Sequence, residues 1–202
     1  MIITPPEASS VSGHAAEMYA DDIAADGFVF AHTQAMAVNA DAYAAFEELV
    51  RAVVPSIGVR VYEAATLGAA RAIGSTHCLL AHGRRAVSAG VLDAAGLAAF
   101  AARDDSGFPA AEQAVIRYAE RLSTHPRTMT DADSAELRAH GFSDRQIVDI
   151  TLAAAARNLL SRALQALAVP VDAVPGLAPG IAAALIRLAG DADAGAGAET
   201  RR

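Results

Sequence analysis

The chain has 202 residues, a net charge of −7 and one cysteine, and all 16 of its basic residues are arginine. That length buries a core without staples; a lone cysteine excludes an internal disulfide framework, and the lack of lysine excludes Schiff-base catalysis. No basic stripe with interleaved aromatics argues for nucleic acid, no signal-peptide pattern opens the chain and no unbroken apolar run spans a bilayer, so a cytosolic protein with no nucleic-acid or membrane partner is expected.

Hydrophobic residues make up 53% of the chain and aromatics 5%, and about a quarter is alanine. Alanine is the best helix former and lets helices approach closely, and no alternating run reads as a strand, so the expected fold is all-α. After an extended lead-in set by Pro5 and Pro6, a first helix is predicted from about Ser12 to Ala25, stopped at Gly27, with a short apolar segment over Phe28 to Ala37 that carries His32. Asn39 or Asp41 caps a helix that ends before Pro55, and a long helix follows from Gly58 to Ile73. Gly74 breaks it, Ser75 reads as the N-cap of a helix from Thr76 to Ala89, and a shorter helix covers Leu92 to Arg103. Pro109 starts a helix to Ser123, Thr130 to Asp133 cap a short one ending at Gly141, and Ser143 caps a long one to Leu167. The row Tyr118, Leu122, Leu152, Leu159 and Leu164 is read as core. A last helix is predicted over Pro179 to Ala189; residues 1–189 form a single domain, and 190–202, rich in Gly, Ala and Asp, are expected to be a disordered tail.

A faint repeat runs through this plan. Val61 to Ser75 aligns without gaps with Ile147 to Ser161, so that Glu63 meets Asp149, Arg71 meets Arg157 and Ser75 meets Ser161. The second copy has Ala163 and Leu164 where the first has His77 and Cys78, and Ala168 where the first has His82.

Cys78 sits in Gly74-Ser75-Thr76-His77-Cys78-Leu79-Leu80-Ala81-His82, and Ser75, Cys78 and His82 are spaced three and four apart, on one helix face. In the first turn of a capped helix, free N–H groups and the helix dipole favour a thiolate. Glu63 is the nearest carboxylate in sequence to fix the tautomer of His82, whereas His77 points off the Ser75/Cys78/His82 face. Other readings compete: a buried small hydrophobe at Cys78, a core histidine at His82, a solvent-side Glu63, a plain N-cap at Ser75, or two metal ligands at Cys78 and His82. The expected site contains neither metal nor cofactor.

Glu63 followed by His77-Cys78-x-x-x-His82 resembles the alkylhydroperoxidase / carboxymuconolactone decarboxylase (AhpD-like) superfamily, whose peroxidase branch carries a glutamate and then Cys-x-His-Cys-x-x-x-His. The resemblance covers about Asn39 to Gly90 and, more loosely, Pro109 to Pro170. It implies an AhpD-like multihelical fold with a weak internal duplication, assembled as trimers or higher oligomers. It also implies thiol chemistry on hydroperoxides: Cys78 the peroxide-attacking thiol, His82 its base or proton relay, Glu63 the group that orients and charges His82, and His77 a secondary polar member. Ser75 replaces the first cysteine of the pair and cannot resolve a sulfenic acid. Peroxide reduction would therefore need an external thiol reductant. The alternatives are a lyase on a small organic acid, using His82 and Glu63, and a non-catalytic oligomeric member of the fold.

Overall fold

The computed structural model describes residues 1–199; residues 200–202 and the side chains of 192–199 lie outside the described residues, and most of the expected tail 190–202 falls there. The described residues contain α-helices and no strand. In chain order these are α1 (His14–Asp26), α2 (Ala31–Met36), α3 (Ala40–Ala72), α4 (Thr76–Ser88), α5 (Ala94–Ala101), α6 (Ala110–Thr124), α7 (Asp131–Ala139), α8 (Asp144–Ala166) and α9 (Pro179–Glu199). The all-α expectation holds, and α9 continues past Ala189, where the sequence pattern placed its end.

The centre of the fold is α3, which packs along α6 and α8 and is flanked by α4 and α9. From Tyr62 to Arg71 every residue of α3 is buried. A helix covered on all sides forces its polar members, Glu63 and Arg71, to find partners inside the protein. Around it lie Leu79, Leu97, Phe100, Ile116 and Ile150, none more than 2% exposed, each contributing roughly 1.5–3 kcal/mol by burial.

One predicted boundary moves. The sequence places a break at Pro55; the chain instead stays helical through Pro55 and kinks at Gly58, where φ is 76° and ψ 162°. That backbone is open to glycine and strained for a residue with a Cβ. The kink frees the carbonyl of Ser56, which accepts a 3.0 Å hydrogen bond from Gln146 Nε2 of α8, while the Ser56 hydroxyl donates to Asp149. On α8 the core face is Ile147, Ile150, Ala153, Ala154, Leu160 and Leu164. Leu152 and Leu159, predicted as core, lie on the opposite face and are exposed, together with Val148.

Helices α3 and α6 approach most closely at Gly68, where a Cβ would meet the carbonyl oxygen of Ile116 at 2.8 Å and its Cα at 3.1 Å. Backbone atoms cannot swing aside as a side chain can. Gly68→Ala is expected to destabilise by about 2 kcal/mol despite alanine's better helix propensity, read from the midpoint of urea unfolding.

Candidate active site

Gly74, at φ 64°, turns the chain out of α3 and into α4. Ser75 has the extended backbone of an N-cap residue and its carbonyl accepts the Leu79 N–H at 2.9 Å, but its side chain makes no capping bond. The predicted capping role is thus met by the backbone alone, and Ser75, 2% exposed, makes no hydrogen bond to the sulfur, which Arg157 and Ser161 meet instead. Cys78 falls in the first turn of α4 and is 3% exposed.

One turn on, His82 Nδ1 stands 2.7 Å from Glu63 Oε2 of α3. A carboxylate only accepts, so this bond puts the proton on Nδ1 and leaves Nε2 with its lone pair. Glu63 is fully buried, and Arg85 Nε lies 3.0 Å from its second oxygen without the alignment of a hydrogen bond. Burial pushes the His82 pKa down to about 4; the Arg157 charge adds to this, and Glu63 pulls the other way without prevailing. His82 is a neutral imidazole near pH 7, suited to take a proton rather than to lend positive charge to the sulfur.

The positive charge comes from a residue outside the motif. Arg157 of α8 places Nη1 3.6 Å from Cys78 Sγ and Nη2 3.1 Å from the Tyr62 hydroxyl. Ser161, one turn further along α8, donates to the sulfur at 3.1 Å. Burial acts against the Arg157 charge, but the sulfur and the Tyr62 phenol facing it more than offset this, and its pKa is raised. Arg157 and Ser161 are the repeat mates of Arg71 and Ser75, so the internal alignment held the one sequence signal that pointed at them.

Cys78, His82 and Arg157 line one cavity of about 930 Å³, walled on its apolar side by Tyr43, Phe46 and Tyr62. Glu63 stands behind His82 and is not in the wall. No hydrogen bond joins His82 to the sulfur. His77, half-buried, lies at the cavity edge with Nε2 2.9 Å from the Pro170 carbonyl, and His32, also half-buried, shares the wall. Burial lowers the His32 pKa and raises that of Tyr43 to about 12, so both are neutral near pH 7. Among the described residues no group of three or more His, Cys, Asp or Glu side chains is placed to hold a metal ion, and no helix is long and apolar enough to cross a membrane.

No protein-family model and no curated protein matches the chain. Solved structures do. A peroxidase-related protein from Ralstonia eutropha JMP134, described as an alkylhydroperoxidase AhpD core, is similar with a TM-score of 0.68 at 20% identity, covering 85% of this chain and 92% of that one. An uncharacterised peroxidase-related protein from Silicibacter sp. TM1040 gives a TM-score of 0.72 at 19% identity over the same shares, 85% and 92%. The debrominase Bmp8 without ligand gives 0.70 at 20% identity over 93% of this chain and 97% of its own; its structure is also known as a Cys-to-Ala variant in complex with 2,3,4-tribromopyrrole. The likeness establishes the architecture: this chain has the multihelical fold of the alkylhydroperoxidase AhpD core.

Proposed function

We propose that the protein is a thiol enzyme that reduces hydroperoxides through Cys78 alone. The observation that carries this reading is the placement of one cavity-lining sulfur beside a buried guanidinium, with a neutral histidine backed by a carboxylate in the same wall. His82 Nε2 takes the thiol proton. The sulfur attacks the outer oxygen of the hydroperoxide, forming S–O as O–O breaks, and His82 returns the proton to the departing alkoxide. Arg157, at 3.6 Å, balances the negative charge first on sulfur and then on the leaving oxygen. The resulting sulfenic acid has no second cysteine to meet in this chain. An external thiol condenses with it, releasing water, and a second thiol frees Cys78 as a disulfide of the reductant.

A second reading keeps the same sulfur and changes the substrate. Tyr43, Phe46 and Tyr62 offer a flat wall to an aromatic ring beside Cys78, the kind of ligand held by the similar debrominase. The net reaction would turn an aryl bromide and two thiols into the arene, hydrogen bromide and a disulfide. One experiment separates the two: the protein is supplied with a small dithiol and either cumene hydroperoxide or tribromopyrrole, with peroxide loss and bromide release followed in parallel. Peroxide turnover with no bromide supports the first reading; bromide release alone replaces it with the second; neither, with Cys78 intact, removes both.

A further inference from the structure

Arg71 and Arg157 are equivalent in the internal repeat, and both are 5% exposed. Arg71 is saturated with anions. Its Nε donates to Glu120 at 2.6 Å, its two Nη atoms donate to the two oxygens of Asp105 at 2.6 and 2.9 Å, and it stacks 4.5 Å from the centre of the Phe100 ring. Arg157 has no carboxylate partner among the described residues. One N–H goes to the Cys78 sulfur and one to Tyr62, and Nε–H is buried without a partner. A cation taken out of water needs opposite charge close by. Arg71 meets two carboxylates, Asp105 from the turn between α5 and α6 and Glu120 of α6, whereas Arg157 meets at most a sulfur anion and lines a cavity.

We propose that Arg157 is the docking point for a carboxylate on the molecule that reacts at Cys78. The substrate is then a short organic acid whose electrophilic atom lies within one or two bonds of the carboxylate, because a single guanidinium touches both the sulfur and the acid. This rests on Cys78 being the reacting group, and on nothing about which bond it attacks. Glu17, Asp21, Asp22, Glu47 and Glu48 of the cavity lining oppose an anion, with Arg51 and Arg85 beside them. Glu17, Asp21 and Glu48 are exposed and screened over ~8 Å at about 0.15 M salt, Asp22 and Glu47 are half-buried, and Arg157 alone is buried.

Iodoacetate and iodoacetamide test this, since they differ only in the carboxylate. In each case the sulfur forms the S–C bond as C–I breaks, and iodide leaves with the electron pair. Both meet the same thiolate, so the ratio of their rates cancels the ionisation of the thiol. At about 0.15 M salt, the iodoacetate-to-iodoacetamide ratio at Cys78 is expected to exceed that of N-acetylcysteine in the same buffer by at least about tenfold. Arg157→Met returns the ratio to the N-acetylcysteine value, Arg157→Lys retains part of the preference, and added acetate slows iodoacetate while sparing iodoacetamide. Should Arg157→Met not fold, the lysine variant and the acetate competition decide. A wild-type ratio equal to that of N-acetylcysteine, with iodoacetamide still labelling Cys78, overturns the carboxylate site and leaves the reactive thiol standing. Labelling by neither reagent overturns the reactive thiol, and the carboxylate site with it.

Discussion

Replacing Cys78 with serine reduces thiol-dependent hydroperoxide consumption by roughly 10³-fold or more, to the solution background, because the nucleophile is gone and no other thiol exists in the chain. The change is close to isosteric, and the serine hydroxyl can still meet Arg157 and Ser161, so stability shifts by no more than about 1 kcal/mol. His82→Ala retains the sulfur and loses the proton relay, a smaller deficit of roughly 10²-fold. The order of the two losses is the informative result. Full activity in Cys78→Ser with loss in His82→Ala would transfer the chemistry from the sulfur to acid–base catalysis on an organic acid. The pH profile gives a further check: with His82 at about 4, the acid limb of the rate profile lies near pH 4 rather than near 6.5.

The largest effect on stability is expected at Glu63. Glu63→Ala empties a fully buried position and strips His82 Nδ1–H of its acceptor, costing about 3 kcal/mol, whereas Glu63→Gln fills the volume and still accepts that proton. Thermal unfolding separates the two, since a loss of about 3 kcal/mol in a domain of this size corresponds to roughly 6–12 °C. The same site makes stability depend on pH. Because the folded-state pKa of His82 is about 4 against 6.5 for an unperturbed histidine, the unfolded chain binds more protons between those values. Stability is therefore fully present above pH 6.5 and is lost as pH falls through about 4, by about 3 kcal/mol for this one group. Comparing wild type with His82→Ala across that window isolates the contribution; parallel curves would show that burial of the imidazole carries no such cost.

Residue patterning made much of this legible in advance. Alanine content and the spacing of caps gave the helices, and the Glu63, Cys78 and His82 pattern gave the spine of the site, because partners one turn apart or on consecutive helices leave a local trace. What local spacing does not encode is which distant helix completes the wall. Arg157 and Ser161 lie 79 and 83 positions from the cysteine they touch, and only the repeat hinted at them. Ser75 is the N-cap that the sequence places, but without a side-chain bond, because residue type at a helix start indicates backbone conformation more surely than it indicates a hydrogen bond. Pro55 drew the predicted break away from Gly58, since proline's effect on helices is visible in any sequence while a glycine's φ is decided by the packing around it. Leu152 and Leu159 show the matching error: helical spacing identifies a stripe but not which way it faces.

The guanidinium on α8 that meets a sulfur on α4 has a consequence for anyone wishing to move this arrangement elsewhere. A graft of residues 59–90 would carry every group in the recognisable motif and still arrive without its electrostatic complement, which the other half of the polypeptide contributes. Transplanting the sulfur–guanidinium pair requires both segments, held in register across the interface of α3 and α8.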